Sequence, residues 1–172
     1  KSNFMSFKPD FPIFTKYPEL VYLDSGATTH KPQVVIDAIS NFYSNSYGTV
    51  HRGIYDLSVQ STNQYNNSRK AMQAYINAAS DKNIIFTRGT TDAINLAAFG
   101  YVEHYLNEGD EIIITEIEHH ANFVPWQQIK KRKNITLTYA PIENDGSFNI
   151  ETFKQLINSK TKFIAITHIS NV

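Results

Sequence analysis

Short apolar runs and helical segments alternate between residues 84 and 166, and this alternation restricts the fold more than any other feature of the chain. Strands are predicted at 84–87, 111–115, 135–139 and 163–166, where the runs have the length and composition of buried strands. Helices are predicted between them, over about 92–106, 124–132 and 150–157. Strands that alternate with helices are typical of a mostly parallel sheet covered by helices, so we predict an α/β fold.

The first 80 residues follow a different pattern. Three prolines predict an irregular arm over 1–20, and a short strand at 21–24 is expected to precede a turn at Ser25 and Gly26. Helices are predicted from Pro32 to Tyr43 and over about 59–79, with a loop over 45–53 between them. We therefore divide the chain into the arm, an N-terminal segment with helices (21–80) and a sheet-containing part (81–172).

Composition excludes several classes of protein. Sixteen Lys+Arg balance sixteen Asp+Glu, so no field of one sign exists to attract nucleic acid or an acidic membrane surface. The absence of cysteine excludes a disulfide framework, a thiolate zinc site and a cysteine nucleophile within these residues. No apolar run approaches the roughly 20 residues of a membrane span, and the start lacks a signal-peptide core. We expect a soluble, cytoplasmic protein.

A glycine turn leads into the helix predicted near residue 92. The free N–H groups and the positive dipole end of that helix suit a phosphate, and the hydroxyls of Thr90 and Thr91 either add donors or cap the helix. Asp92 competes for the same positive field. The sequence Arg88-Gly89-Thr90-Thr91-Asp92 matches neither G-x-G-x-x-G nor a Walker loop. A phosphate site and a capped helix without a ligand both remain open.

Four ionisable side chains follow the second predicted strand: Glu116, Glu118, His119 and His120. They lie at the edge of a parallel sheet where ligands bind. Their spacing matches no metal motif, because adjacent histidines do not share a helix face and H-E-x-x-H is absent. We favour one histidine stacked on a planar aromatic ligand, and a hydrogen-bonded loop histidine is the alternative.

Two further loops carry polar groups that suit a ligand. His51 adjoins Arg52, whose guanidinium pairs either with a carboxylate ligand or with a surface acid. Asn171 follows the fourth predicted strand at the same sheet edge. Its amide either donates to a phenolate oxygen or a substrate carboxylate, or forms a turn.

Five motifs occur in order along the chain: YLDSGATT (22–29), HRG (51–53), RGTT (88–91), EHHAN with VPW (118–126) and THISNV (167–172). From about Phe11 onward, their order and spacing resemble the N-terminal part of a SufS-type (group II) cysteine desulfurase. That family is related to the class V aminotransferases and uses pyridoxal 5′-phosphate (PLP). The resemblance implies the PLP-dependent transferase fold (aspartate aminotransferase-like, fold type I), present only in part, with 81–172 as the first part of the large PLP-binding domain.

The resemblance also implies roles for particular residues. Thr90 and Thr91 are expected to hold the PLP phosphate, and His119 is expected to stack on the pyridine ring and to act catalytically in proton transfer. Asn171 is expected to contact the cofactor or the substrate carboxylate. Ala27 and His51 are expected near the substrate pocket and the dimer contact. No metal is expected.

The activity implied is conversion of L-cysteine to L-alanine, with the sulfur passed as a persulfide to a SufE- or SufU-type acceptor for iron–sulfur cluster assembly. The intact enzyme is expected to be a homodimer. In the family, the Schiff-base lysine, the partner of the pyridine nitrogen and the persulfide cysteine all lie beyond the stretch that this chain matches. We therefore expect the 172-residue chain to be inactive by itself and to be an excerpt of a longer polypeptide, or to pair with a complementary segment.

Three alternatives stay open from the sequence. A sibling PLP enzyme such as a selenocysteine lyase shares much of this half. A truncated, non-catalytic product kept as a dimerising or scaffold piece is the second. The third is a metal hydrolase that uses Glu116, Glu118, His119 and His120.

Overall fold

The computed structural model describes residues 6–171, so residues 1–5 of the predicted arm and Val172 of the last motif lie outside the described residues. The chain divides into two compact units, Lys1–Ile85 and Phe86–Val172. The predicted division into an arm (1–20), an N-terminal segment with helices (21–80) and a sheet-containing part (81–172) stays a prediction. No helix in the described part of the chain is both long and apolar enough to cross a membrane.

The first unit contains the helices α1 (Pro12–Lys16), α2 (Gln33–Asn41) and α3 (Asp56–Tyr75). A π-helical turn, Phe42–Ser46, continues α2, and a 3-10 turn, Lys8–Asp10, precedes α1. The described part of the arm is thus partly helical rather than irregular. Proline stands in the first turn of both short helices, where its missing N–H breaks no helical hydrogen bond.

The second unit is built on parallel strands. The strands β1 (Glu111–Thr115), β2 (Thr136–Ala140) and β3 (Thr161–Ala165) are arranged in the order β2-β1-β3. Both neighbours of β1 run parallel to it. The predicted parallel sheet is therefore confirmed, and the carboxyl ends of all three strands open at one edge.

Two predicted strands are wrong. Neither residues 84–87 nor residues 21–24 form a strand. In the second case a local turn uses the polar groups, because Ala27 N–H donates to Asp24 O (3.1 Å) and Tyr22 Oη donates to Thr28 O (2.6 Å). An apolar run becomes a strand only where a neighbouring strand accepts its backbone hydrogen bonds.

The core of the second unit lies on both faces of β1. Ile112, Ile113 and Ile114 are each fully buried, as expected for the central strand of a parallel sheet, and each contributes about 1.5–3 kcal/mol by burial. Ile113 packs with Ala140 and Phe153 on one face. Ile112 and Ile114 face the larger cluster: Ala98, Val102, Leu106, Trp126, Ile129, Ile135, Leu137 and Ala165.

Helices contribute many of the side chains in these clusters. On one face lie α4 (Thr90–Ala97), a π-helical turn (Ala98–Val102), α5 (Glu103–Tyr105) and α6 (Val124–Lys133), and on the other lies α7 (Ile150–Leu156). Their positions confirm the helices predicted from periodicity. The helix α6 ends at Asn134, whose left-handed conformation (φ 53°) is a common helix stop.

Glu111 is a buried carboxylate that joins all three strands. Its oxygens accept hydrogen bonds from Thr138 Oγ1 (2.6 Å), Thr161 Oγ1 (2.6 Å) and Asn158 Nδ2 (2.9 Å). Burial raises the pKa of Glu111, but these bonds and the charge of Lys160 lower the pKa by more, so it lies below the usual value of a glutamate. The charged form of Glu111 is therefore the form that stabilises the sheet.

Replacing Glu111 with glutamine is expected to lower the free energy of unfolding of the full chain at pH 7 by about 1–3 kcal/mol, because the amide loses the charge that these donors favour. The contribution of Glu111 is complete above the unfolded-state pKa of about 4.3 and is lost as the pH falls through the lowered folded-state pKa. The difference between the two proteins should therefore shrink in acid. Urea unfolding of the parent protein and of Glu111→Gln, at pH 7 and at a pH below the unfolded-state pKa, measures this difference.

Glu151→Gln is the matched control for this prediction. Glu151 is exposed in the first turn of α7 and forms a surface ion pair with Lys154 (2.8 Å). Its replacement should change the unfolding free energy by no more than about 0.5 kcal/mol. A stability difference for Glu111→Gln that is the same at pH 7 and in acid would contradict the role given to the charge.

Candidate functional site

Three segments of the second unit meet at the carboxyl edge of the sheet. The helix α4, which begins at Thr90, packs against the 3-10 turn His120–Asn122 that follows β1. The segment after β3 is tied to the segment after β1, because Thr167 N–H donates to Glu118 Oε1 (2.8 Å) and Ser170 Oγ donates to Ile117 O (3.1 Å). The structure therefore collects the helix start, the histidine turn and the approach to Asn171 at one edge.

The start of α4 presents an open helix end. Gly89 precedes the helix and provides no side-chain cap, and Thr90 and Thr91 are exposed. Within residues 6–171, neither threonine hydroxyl forms a hydrogen bond. The first N–H groups of a helix have no intrahelical acceptor. The start of α4 is therefore exposed and has no side-chain cap, which is compatible with the phosphate interpretation.

The Asp92 carboxylate turns back to Arg88 at the start of α4. Its Oδ2 accepts the N–H of Arg88 (3.2 Å) and lies 3.5 Å from Arg88 Nε. The hydrogen bond from the Arg88 N–H lowers the pKa of Asp92, and the bond from the Arg88 side chain lowers it further. Asp92 and Arg88 thus form an exposed ion pair at the start of α4.

His119 presents its ring at the end of β1. The side chain is exposed, and its Nδ1 accepts a hydrogen bond from the N–H of Ala121 (3.1 Å). A neutral imidazole that accepts at Nδ1 carries its proton on Nε2, so the backbone selects one tautomer. The ring of His120 is nearly perpendicular to that of His119 (83°), with centroids 6.1 Å apart.

The acidic residues near His119 are engaged within the protein. Glu116 Oε2 accepts the N–H of Ile142 (3.2 Å), and both oxygens of Glu118 accept protein hydrogen bonds. Residues 6–171 contain no group of three or more His, Asp or Glu side chains arranged to hold a metal ion. The structure therefore offers no support for the metal-hydrolase interpretation.

Ala27 and His51 lie in the first unit, whereas Thr90, Thr91, His119 and Asn171 lie in the second. Ala27 is exposed in the turn after residue 24. His51 has a left-handed backbone (φ 71°), its N–H donates to Thr62 Oγ1 (2.9 Å), and its ring lies edge-on to that of Tyr65 (5.5 Å between centroids).

The loop that carries His51 packs closely on α3. Ser58 and Ser61 of α3 are buried, and their hydroxyls donate to Thr49 O (2.7 Å) and Ser46 O (2.8 Å). Gly48 lies directly on the α3 backbone, where an added Cβ would stand 2.8 Å from the carbonyl carbon of Leu57. The buried residues of α3 are therefore two serines, Ser58 and Ser61, whose small side chains let the loop lie close to the helix.

Sequence reasoning missed the residues that hold this edge together. Thr115, Asn122 and Trp126 were not assigned any role, yet all three belong to one hydrogen-bond network around Glu118. The signal that could have found part of it is the spacing of Glu118, Asn122 and Trp126, which recur every four residues. In a continuous helix, that spacing would put the three side chains on one side, although Glu118 here precedes the 3-10 turn and lies in no helix.

Comparison with known proteins defines the class. The aminotransferase class-V family matches residues 21–172. Because this match includes most of the chain, the chain belongs to the aminotransferase class-V family. The resemblance seen in the sequence is confirmed at this level.

The similar proteins include cysteine desulfurases. The probable cysteine desulfurase of Staphylococcus aureus (strain Mu50 / ATCC 700699) is 49% identical over 166 residues, which cover 95% of this chain and 40% of that protein. The apo structure of a cysteine desulfurase from Thermococcus onnurineus NA1 has a TM-score of 0.88 at 30% identity, over 96% of this chain and 40% of that one. The Escherichia coli cysteine desulfurase CsdA has a TM-score of 0.83 at 35% identity, over 99% and 43%.

These structures confirm the predicted fold class. The chain spans about 40% of the length of the curated relative and of the Thermococcus structure.

Replacing Gly48 with alanine is expected to lower the free energy of unfolding by about 1–3 kcal/mol, because the new methyl group would overlap backbone atoms of α3 that have no room to move. Gly26→Ala is the matched control, since a Cβ at Gly26 meets no atom within 4 Å. Urea unfolding of both variants measures the difference. Equal stability of the two variants would show that the loop does not pack on α3 as described.

Proposed function

We propose that the chain is the N-terminal part of a PLP-dependent cysteine desulfurase of the SufS type. The observation that carries the proposal is the meeting of the open N-terminus of α4 with the His119 turn at one sheet edge. The similarity to cysteine desulfurases over 95% or more of this chain supports the reaction class. In the proposed reaction, the C–S bond of L-cysteine breaks, L-alanine is released, and the sulfur passes to a thiol as a persulfide.

The residues present fit PLP. The phosphate is anionic, and the start of α4 offers N–H groups and the exposed hydroxyls of Thr90 and Thr91. The pyridine ring is flat, and the exposed imidazole of His119 offers a planar face. When bound, PLP supplies an electron sink for the negative charge that develops on the amino-acid substrate.

We assign to His119 both stacking and proton transfer. Its Nε2 carries the proton in the tautomer that the Ala121 N–H selects, and this atom is the one available for donation. The exposed amide of Asn171 follows the segment that is tied to the His119 turn, and we assign it to the cofactor or the substrate carboxylate. Ala27 and His51 are proposed at the substrate pocket on the strength of the resemblance.

The thiol that accepts the sulfur is proposed to lie outside these 172 residues, because the chain contains no cysteine. We further propose that the whole enzyme is a cytoplasmic homodimer that passes its persulfide to a SufE- or SufU-type protein for iron–sulfur cluster assembly. These finer assignments rest on the resemblance to SufS-type enzymes.

The reaction itself is testable with the full-length protein that contains this chain. Purified with PLP and given L-cysteine and a reductant, it is expected to form alanine and sulfide in equal amounts. L-selenocysteine in place of L-cysteine separates the sibling enzyme, since a lyase specific for selenium would leave L-cysteine unchanged. Absence of alanine and sulfide from L-cysteine would remove the proposal.

The phosphate assignment predicts weaker cofactor binding when both hydroxyls are removed. Thr90→Ala/Thr91→Ala in the full-length protein is expected to raise the dissociation constant for PLP about 10²- to 10⁴-fold, because two hydrogen bonds are lost and each bond to a charged group is worth about 1.5–3 kcal/mol. Fluorescence titration with PLP measures the constant. Thr136→Ala, on the exposed side of β2, is the control and should bind PLP normally.

The 172-residue chain by itself is expected to form no alanine from L-cysteine above the background of free PLP. It has no cysteine to carry a persulfide, and its lysines match no Schiff-base motif of the family. Alanine analysis after incubation with PLP and L-cysteine checks this expectation. Turnover by the chain, repeated over many cycles, would show that these residues hold a complete catalytic site.

A further inference from the structure

Glu118 holds together two of the segments that form the candidate site. Its Oε1 accepts from Thr115 Oγ1 (2.6 Å), at the end of β1, and from the N–H of Thr167 (2.8 Å), just after β3. Its Oε2 accepts from Asn122 Nδ2 (2.7 Å), in the turn that follows His119. Short bonds of this kind to a carboxylate are roughly twice as strong as those between neutral groups. One partly buried charge thus joins both loops.

The orientation of the Asn122 amide is itself determined by the core. Asn122 Oδ1 accepts from Trp126 Nε1 (3.0 Å), and Trp126 is only 2% exposed in the main cluster. An indole nitrogen only donates, so the amide must turn its oxygen to Trp126 and its NH₂ group to Glu118. The network therefore runs from the packed core through Asn122 to Glu118.

His119 stands between the two anchored positions. Glu118 precedes it in the chain, and the 3-10 turn after it contains Ala121 and ends at Asn122. The N–H of Ala121 selects the His119 tautomer, so a shift of this turn changes both the place of the ring and the location of its proton. The same carboxylate also fixes the start of the segment that leads to Asn171 through Thr167.

We propose that Glu118 is a positioning residue for the cofactor site: through Asn122 and Thr167 it holds His119 and the segment leading to Asn171 in one arrangement. The proposal rests on the proposed function for its catalytic meaning. Glu118 acts through its neighbours and is not itself assigned a contact with cofactor or substrate.

The donor and acceptor pattern supplies a sharp test. Glu118→Gln sets an NH₂ group against the NH₂ group of Asn122, because its remaining oxygen is required by Thr115 and Thr167. Asn122→Asp sets two carboxylates against each other. The double variant Glu118→Gln/Asn122→Asp restores complementarity, since the new amide donates to the new carboxylate, which still accepts from Trp126. It also keeps the size and net charge of the pair.

The experiment compares these variants in the full-length protein. Each single variant is expected to lower kcat for alanine formation about 10- to 100-fold with little change in KM, because misplacing a reacting group by about 1 Å costs that much. The double variant should recover most of the loss. Thr115→Val, which removes one donor without changing the charge, is a milder variant with an intermediate loss. Glu116→Gln, on the same loop, is the matched control and should keep the parent kcat.

A second readout does not depend on activity. In protein labelled with ¹⁵N-histidine, the His119 signal is identified by its loss in His119→Gln. It should show a protonated Nε2 in the parent protein, a mixture of tautomers in each single variant, and the parent pattern again in the double variant. If a single variant fails to fold, Thr115→Val and the double variant still report both quantities.

The two readouts separate failure of this proposal from failure of the proposed function. If the parent protein forms no alanine, the proposed function fails, and the histidine spectra then decide the role of Glu118. Parent kcat and a parent His119 signal in Glu118→Gln and Thr115→Val would overturn the proposal. The proposal would also be overturned if the loss of kcat in the double variant, expressed as a free energy, equalled the sum of the two single losses. The effects of residues that share a network are not additive.

Discussion

The pairing of β1 with a parallel neighbour on each side is the interaction on which the second unit depends. It buries Ile112, Ile113 and Ile114 completely and sets one helical layer against each face of the sheet. Because parallel strands all point the same way, the loops after β1 and β3 must open at one edge. The candidate site is formed there.

Parallel pairing places these loops at the same edge but does not fix their conformations. That task falls to polar contacts: the Glu118 carboxylate between Thr115, Asn122 and Thr167, and the Ala121 N–H on the ring of His119. At the start of α4, the backbone N–H and the guanidinium of Arg88 both contact Asp92. The loops of the proposed PLP site are thus held by hydrogen bonds within the chain.

The periodicity of apolar residues was sufficient to predict the helices and strands that bury one or both faces. The strands at 111–115, 136–140 and 161–165 and the helices between them lie within about two residues of their predicted positions, which is the usual uncertainty of such boundaries. The runs at 21–24 and 84–87 have the composition of strands, yet they do not join the sheet. The composition of a run shows that its residues are suited to a strand, but a strand also needs a neighbouring strand within hydrogen-bond distance.

The candidate site was likewise predictable from the sequence only in part. The residue types and their order predicted Thr90, Thr91, His119 and Asn171 as site residues, and their roles stay predictions. The sequence by itself also determined the α/β class and the family resemblance, since both are carried by local patterns. Only the tertiary structure decided which tautomer His119 adopts, how Asp92 pairs with Arg88 and which residues Glu118 joins. Each of these depends on hydrogen bonds, and those of Glu118 reach residues up to 49 positions away in the chain, which no local pattern records.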